Sequence, residues 1–247
     1  MKITDAYWEK RNIGVETAEI DIDREDDVAA CRKRLKEVTA PYQVVKMPAG
    51  MIPMQKMMQE EGFVFMETLV RLRHDLKSCV LTPLQKRLAK DVTYVRMDAC
   101  GLDVMYAQID QGMFTTDRIT LDGQFDGEQA RARYKGWIGD ELQRKGEAYQ
   151  FICRDEAIGF CVHRVEEEAS YGILGGIYPK YRSAGLGFLS LFLSIQIEQK
   201  RRARCLIADV STNNMASLRS EIAMGFQIID LKYVFIKHLQ TGWSGGI

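Results

Sequence analysis

The stretch that decides the fold of this 247-residue chain is Ile177-Tyr178-Pro179-Lys180-Tyr181-Arg182-Ser183-Ala184-Gly185-Leu186-Gly187. It joins a β-rich run, residues 171–178, to a long apolar stretch, residues 187–199, so the pattern predicts a strand, a turn and a helix. The two glycines let backbone N–H groups approach a ligand closely and converge on it, and the helix N-terminus adds a partial positive charge. The stretch therefore predicts an anion cradle that suits a pyrophosphate.

Other phosphate-binding folds use the same strand–turn–helix logic, so the spacing of the glycines matters. The chain has no G-x-x-x-x-G-K-[ST] sequence, which excludes a P-loop nucleotide site. It also has no G-x-G-x-x-G after the first strand of a β-α-β unit, which excludes a Rossmann dinucleotide site. The spacing that the chain does have is R-x-x-G-x-G, from Arg182 to Gly187.

Together with Ile177, Pro179 and Tyr181, this spacing resembles motif A of the GNAT superfamily of N-acetyltransferases, V-x-P-x-Y-R-x-x-G-x-G. The resemblance implies that backbone amides of about residues 184–187 hold the pyrophosphate of CoA. It also implies that the strand ending at Ile177 splays from its neighbour and pairs with the pantetheine arm. The cofactor-binding residues that it implies in this segment are Gly175, Ile177, Arg182, Ser183, Ala184, Gly185, Leu186 and Gly187.

A second motif lies further along the chain. GNAT proteins often carry N-x-x-[AS] eleven residues before G-F, and Asn214-Met215-Ala216-Ser217 precedes Gly225-Phe226 at that spacing. The family's Asn side chain typically lies near the pantetheine, which implies a cofactor-binding and catalytic role for Asn214. The predicted order of the second half, β-α-α-β-β-β-α-β-α-β with a strong helix over residues 127–143, agrees with this. The resemblance implies an acyltransferase that uses acetyl-CoA as co-substrate and needs no metal.

The chain departs from the family pattern at Glu221. The family often places a tyrosine four residues before the glycine of G-F, where it acts as the general acid that protonates the departing thiolate, and here that position is Glu221. Two interpretations stay open. Glu221 is a surface helix residue, or it is a catalytic residue that protonates the sulfur directly or through water. Tyr178 and Tyr233 are other residues with a phenol that could lie near the cleft and act as the acid.

The resemblance also implies a mechanism. A neutral amine attacks the thioester carbonyl after a base, often acting through ordered water, has removed a proton from the ammonium. A backbone N–H on the splayed strand stabilises the oxyanion, and proximity contributes much of the rest. His163 and Glu168 are the candidates for the base, and the alternative for His163 is a structural role in its strand.

Residues 1–88 are predicted to form a small N-terminal domain with a β-α-β-α-β order. Its strands are predicted at residues 18–23, 42–47 and 63–73, and its helices at residues 26–38 and 51–61. The stretch that contains Pro83 is interpreted as a linker to the acyl-CoA-binding catalytic domain, residues 89–247. The expected fold class is therefore α/β (α+β): a GNAT fold with a mixed, mostly antiparallel sheet flanked by helices, preceded by this small domain.

The N-terminal half carries a resemblance of its own. Its layout is similar to that of the TDP-fucosamine N-acetyltransferase group in three strings: Tyr7-Trp8-Glu9-Lys10-Arg11-Asn12-Ile13-Gly14-Val15, Val44-Val45-Lys46-Met47-Pro48 and Gly62-Phe63-Val64-Phe65-Met66-Glu67-Thr68-Leu69-Val70. The resemblance implies an acceptor with a 4-amino group on a nucleotide-linked 6-deoxy sugar. Two alternatives stay open: a GNAT enzyme for another amine, such as an antibiotic or a protein amine, and a non-catalytic module that binds acyl-CoA.

Composition narrows the classes of partner. Lys plus Arg and Asp plus Glu both number 34, and this zero net charge argues against wholesale nucleic-acid binding. No apolar run is long enough to predict a membrane span. The six cysteines contain no C-x-x-C pair, so buried free thiols in a reducing cytoplasm are expected and a zinc site is not. We expect a small-molecule amine as the acceptor, and a homodimer is a possible assembly. The glycine-rich tail at residues 241–247 is expected to be loosely held.

Overall fold

The computed structural model describes residues 1–77 and 79–239, and ten strands of this part pair into one continuous sheet. The strands are β1 (Lys2–Asp5), β2 (Thr17–Asp21), β3 (Tyr42–Pro48), β4 (Val64–His74), β5 (Val92–Arg96), β6 (Glu147–Cys153), β7 (Glu156–Glu166), β8 (Ala169–Ile177), β9 (Cys205–Ser211) and β10 (Gln227–His238). The helices are α1 (Tyr7–Ile13), α2 (Val28–Leu35), α3 (Ile52–Glu60), α4 (Pro83–Ala89), α5 (Ala99–Asp110), α6 (Arg118–Leu121), α7 (Gly127–Gln143), α8 (Phe188–Arg201) and α9 (Met215–Ala223). The predicted tail, residues 241–247, lies outside the described residues.

The order of the strands across the sheet is β1-β2-β3-β10-β4-β9-β8-β7-β6-β5. Two neighbouring pairs run parallel, β2 with β3 and β8 with β9, and the other neighbours are antiparallel. The expected mixed, mostly antiparallel sheet flanked by helices is therefore confirmed.

Alternation along the strands assigns the helices to the two faces of the sheet. Val70 and Leu72 of β4 pack with residues of α8, on the face that α2, α3, α4, α8 and α9 cover. Val234 and Ile236 of β10 point the other way and pack with Ile119 of α6. Helices α1, α5, α6 and α7 cover this second face. We call the two sides the α8 face and the α7 face.

Strands from the two halves of the chain interleave in the middle of the sheet. β10 lies between β3 and β4, and β4 lies between β10 and β9. The N-terminal half therefore supplies a strand that sits beside β9, where the sequence motifs lie. The division into domains at residue 88 stays a prediction.

The interpretation of the stretch around Pro83 as a linker is wrong in part, because this stretch contains α4. Thr82 and Gln85 form a capping box, in which each side chain binds the backbone N–H of the other, and Pro83 takes the first helical position. These are local signals that start a helix. By contrast, the helix predicted over residues 127–143 is confirmed as α7, which Asp126 and Gln129 cap in the same way.

The cysteines differ in burial more than the sequence suggests. Cys31, Cys161 and Cys205 are buried free thiols, as expected, but Cys79 and Cys153 are half-buried and Cys100 is exposed. Within the described residues there is no group of three or more His, Cys, Asp or Glu side chains arranged to hold a metal ion. None of the helices of this part has the length and apolarity that a bilayer crossing requires.

Candidate active site

Strands β8 and β9 part from each other halfway along their length. They pair only where residues 169–172 face residues 205–208. Beyond this point β9 stays with β4, and β8 stays with β7. A β-bulge in the β7–β8 pairing, between Leu174 and Gly172, coincides with the end of the pairing and bends the strand. The predicted splaying of the strand that ends at Ile177 is therefore present, and we call the space between residues 173–177 and 209–211 the gap.

The edge of β8 that lines the gap has backbone groups without a strand partner on that side. Such an edge can bind an extended ligand chain through main-chain hydrogen bonds, as an added strand would. Gly175 is exposed on this edge. A Cβ at Gly175 would lie 2.9 Å from the carbonyl oxygen of Phe160, so glycine is needed there for the close approach of β7. Its predicted role in cofactor binding stays a prediction about its backbone.

The cradle predicted from the glycines follows directly after β8. Residues Pro179–Ala184 form a 3₁₀ turn, Gly185 takes a left-handed conformation with φ of 71°, and α8 begins at Phe188. Within the described residues, the backbone N–H groups of residues 185–188 have no acceptor. Four unpaired N–H groups at the exposed N-terminus of a 14-residue helix fit a pyrophosphate, because the helix dipole and the N–H groups attract the same charge.

The side chain of Arg182 turns away from the cradle. Its guanidinium donates to the carbonyl oxygens of Ile177, at 3.4 Å, and of Met113. Arg182 thus ties the end of β8 to the loop that precedes α6, and it holds the shape of the cradle through these contacts. Ser183 and Ala184 are exposed in the turn.

Asn214 lies at the other side of the gap, where β9 leads into α9. It is the N-cap of α9, and its Oδ1 accepts a hydrogen bond of 3.1 Å from the N–H of Ser217. The side-chain amide nitrogen has no acceptor among the described residues. The oxygen of Asn214 is therefore engaged in the fold, and its amide nitrogen is the group available to a ligand.

Glu221 is buried, and its interpretation as a surface residue is wrong. The residue is 3% exposed, and its Oε2 has no hydrogen-bond partner in the described part of the chain. It projects from α9, which packs against β9 on the α8 face. Burial raises the pKa of Glu221 to about 7, and the nearby charge of Asp209 acts in the same direction. Glu221 is thus a carboxyl group that can hold a proton near neutral pH beside the gap.

No family model matches the chain, and no curated protein matches its sequence. Solved structures do match. A GCN5-related N-acetyltransferase from Sphaerobacter thermophilus aligns with a TM-score of 0.60 at 11% identity, over 98% of this chain and 77% of the other. One from Kribbella flavida gives 0.59 at 11% identity, over 94% and 82%. A functionally unknown conserved protein from Staphylococcus epidermidis gives 0.61 at 13% identity, over 90% and 84%.

The chain has the GNAT fold. At these identities the likeness concerns the fold alone. The two segments that resemble the family's motifs take up neighbouring positions in it, at the C-terminal ends of the parallel strands β8 and β9.

The two candidates for the base do not reach the gap of this GNAT fold. His163 is buried, with Nδ1 2.7 Å from Oε1 of Glu198 and Nε2 3.0 Å from Oγ of Ser194, so both ring nitrogens are engaged by α8. Burial disfavours the imidazolium, but Cys161 and Glu198 more than offset this and raise the pKa of His163. Glu168 lies on an exposed turn beside Arg204. The structural alternative for His163 agrees with this geometry.

The phenols considered as alternative acids lie apart from each other. Tyr178 is buried on the α7 face, and its hydroxyl has no partner among the described residues. Burial raises its pKa, so it stays protonated. Tyr233 of β10 packs against Phe65 on the α8 face, two strands away from the gap.

Glu67 of β4 is a residue near the gap that motif searching misses. It is 5% exposed and faces α7. The sequence did carry a signal for this residue, which is its charge. Within the strand predicted at residues 63–73, Glu67 is the one charged residue of the run Val64-Phe65-Met66-Glu67-Thr68-Leu69-Val70. A charge in such a run points either to a pairing partner or to a ligand.

Proposed function

We propose that this protein is a GNAT acyltransferase that transfers an acetyl group from acetyl-CoA to the amine of a small molecule. The observation that carries the proposal is the parting of β8 from β9 next to four unpaired N–H groups. The cradle at residues 185–188 suits the pyrophosphate, and the edge of β8 suits the pantetheine arm. Acetyl-CoA would supply the activated thioester.

The residues around the gap can support each part of the transfer. The acceptor's ammonium first gives a proton to water, and the neutral amine nitrogen then attacks the thioester carbonyl. The C–N bond forms, the C–S bond breaks, and the nitrogen loses a second proton to water as the amide forms. A backbone N–H of the β8 edge stabilises the oxyanion. Glu221, neutral below about pH 7, donates its proton to the departing thiolate. In this proposal Glu221 performs the task of the tyrosine that the family usually carries, and the amide nitrogen of Asn214 binds the pantetheine.

For the acceptor we propose a nucleotide-linked amino sugar, as the resemblance to the TDP-fucosamine group implies. The N-terminal half supports this, because it adds walls around the gap on the α7 face: α1 packs on α7, and β4 lies beside β9. The alternatives are another amine, such as an antibiotic or protein amine, and an acyl-CoA-binding module without activity. The last is favoured by the absence of the usual tyrosine.

Release of free thiol from acetyl-CoA tests these alternatives. It would be followed with TDP- and UDP-linked amino sugars, then with aminoglycosides and peptides, while calorimetry measures CoA binding. Turnover with a nucleotide-linked sugar supports the proposal. Turnover with only the other amines supports the second alternative, and CoA binding without any turnover supports the third. Absence of CoA binding would overturn the proposed function.

Glu221→Gln is expected to lower kcat by roughly 10²–10⁴-fold, the usual worth of general acid help. In the wild type the acid is present below pH 7 and lost as pH rises through about 7, since that is where Glu221 ionises. The falling limb of the pH–rate profile should therefore disappear in the variant. Arg219→Gln, on an exposed position of the same helix, is the control. An unchanged limb in Glu221→Gln would remove Glu221 from the mechanism.

The same substitution is expected to change the pH dependence of stability. Because the folded-state pKa of Glu221 is raised, its contribution to stability is complete at acid pH and is lost as pH rises through about 7. Glu221→Gln should remove this loss, which amounts to roughly 3 kcal/mol for a rise of this size. Urea unfolding at pH 5 and pH 9 measures it, and equal pH dependence in both proteins would show that Glu221 ionises freely.

A further inference from the structure

We propose that Glu67 binds the ammonium group of the amine acceptor. This inference rests on the proposed function, because it assigns a contact to the acceptor of that reaction. Glu67 comes from the N-terminal half, outside both sequence motifs, and it reaches the gap from the side opposite to Glu221.

The carboxylate of Glu67 belongs to a residue that has little access to water. Within the described residues it accepts no hydrogen bond and forms no ion pair, although it is only 5% exposed. The other buried carboxylates of the α7 face each have a side-chain partner: Glu9 has Arg118 and Arg133, Glu141 has Arg164, and Asp122 has the imidazole of His238. A carboxylate that has little access to water and no ion-pair partner among the described residues favours the binding of a cation.

The nearby cations are already engaged by other carboxylates. Arg118 lies close enough to Glu67 for a charge–charge interaction, but its guanidinium is 2.7 Å from Glu9 and 3.6 Å from Glu19. Arg133 is 2.8 Å from Glu9, and Lys46 is 3.2 Å from Glu19.

This charge cluster has a surplus of negative charge. Its described carboxylates are Glu9, Glu19, Glu67 and Asp117, and its described cations are Lys46, Arg118 and Arg133. Hydrogen bonds from Thr120 and Tyr134 hold Asp117 ionised with a lowered pKa, although its burial opposes this. One added ammonium group would bring the net charge of the cluster to zero, whereas an added anion would increase its negative charge.

The pairing of β4 places Glu67 next to the open end of the gap. Leu69 pairs with Ser211, the last residue of β9, so Glu67 lies just past the point where β9 ends. Glu67 also pairs with Val234, whose side chain packs on the α7 face. Neighbouring strands are about 4.8 Å apart and Glu67 is two residues beyond Leu69, so its Cα lies roughly 8 Å from that of Ser211, diagonally across from the side of the gap that β9 forms.

A wall of aromatic side chains joins the β8 side of the gap to Glu67. The methyl group of Met113 would be 3.0 Å from a Cβ on Gly176, and the ring of Phe114 4.0 Å. The rings of Phe114 and Tyr134 are 4.8 Å apart, and Tyr134 interacts electrostatically with Glu67. An apolar wall that leads to a charge cluster with a surplus carboxylate suits an organic ammonium better than an inorganic ion, because the wall packs against carbon.

Binding of n-propylammonium to ¹⁵N-labelled protein tests the proposal without knowledge of the acceptor. Backbone amide shifts of Glu67, Phe114 and Tyr134 would be followed by NMR during titration of the wild type, Glu67→Gln and Glu168→Gln. Propan-1-ol, which has the same carbon chain and no charge, is the ligand control. Glu168 is the matched residue control because it is an exposed carboxylate at a distant turn.

We expect saturable shifts in the wild type and in Glu168→Gln, affinity roughly 10-fold to 100-fold lower in Glu67→Gln, and no comparable shifts with propan-1-ol. Glu67→Gln should fold, because no hydrogen bond or ion pair of the described residues depends on the Glu67 carboxylate, and Glu67→Met serves as a second variant of similar shape. Absence of saturable shifts in the wild type, or equal affinity in the variants, would overturn the proposal.

Calorimetry with acetyl-CoA on the same samples separates this proposal from the proposed function. Glu67→Gln should bind acetyl-CoA as the wild type does, since Glu67 lies away from the cradle. If the wild type binds no acetyl-CoA, the proposed function fails, whereas the shifts caused by n-propylammonium report on Glu67 alone.

Discussion

Gly185→Asp is expected to weaken CoA binding about 100-fold or more. Gly185 stands among the four unpaired N–H groups, and a Cβ there would meet only Leu88, at 4.0 Å, so a side chain fits without a clash. The left-handed φ of Gly185 strains any side chain, and the charge of aspartate adds repulsion to this strain. Two unit charges 5 Å apart repel by about 3 kcal/mol at an effective dielectric constant of 20, which is about a 100-fold change in affinity.

Gly185→Asn is the matched control for this prediction. Asparagine has the same shape as aspartate, and both tolerate the left-handed conformation that Gly185 adopts. We expect Gly185→Asn to bind CoA far better than Gly185→Asp when both are measured by calorimetry at low salt. Equal losses in the two variants would point to shape instead of charge, and unchanged affinity in both would refute the assignment of the cradle.

Glu9→Ala is expected to destabilise the fold by about 3–5 kcal/mol, the usual cost of removing one partner of a buried ion pair. Glu9 is fully buried, and its carboxylate receives hydrogen bonds from Arg118 and Arg133. It thereby fixes α1 to α6 and α7. The substitution leaves the buried guanidinium of Arg118 without its closest anion, as urea unfolding at constant pH should show.

Glu16→Ala provides the comparison for Glu9→Ala. Glu16 follows α1 closely and also forms an ion pair, with Lys10 at 2.6 Å, but both side chains are exposed. Exposed pairs contribute little to stability, so this variant should unfold at nearly the same urea concentration as the wild type. A small loss in Glu9→Ala, similar to that in Glu16→Ala, would show that water or other side chains replace the carboxylate of Glu9.

Features that depend on contiguous residues were predictable. The cradle needs a strand, a turn with Gly185 and the first turn of a helix, and all of these lie within one short segment. The span of α7 is local in the same sense. The capping box of α4 was equally local and was overlooked because the proline beside it suggested a linker.

Features that depend on distant pairings were not predictable. Glu221 and Glu168 are both glutamates in polar surroundings of the sequence, yet one is buried beside the gap and the other is exposed at a turn. His163 was an open question until Glu198, 35 positions away, proved to be its partner. Burial and ion pairing are set by the side chains that the fold brings close, and local patterns do not specify these.

The sequence by itself determined the strand, turn and helix of the cradle, because spaced glycines act through the backbone of their own segment, and through its resemblance it predicted the GNAT fold that the solved structures bear out. Only the tertiary structure decided what surrounds the gap. The insertion of β4 between β10 and β9 brings Glu67 to the α7 face, and the packing of α9 buries Glu221 on the opposite face. Strand order is set by pairings across the whole chain, so Glu67 and Glu221 come to opposite faces near the gap only in the folded protein.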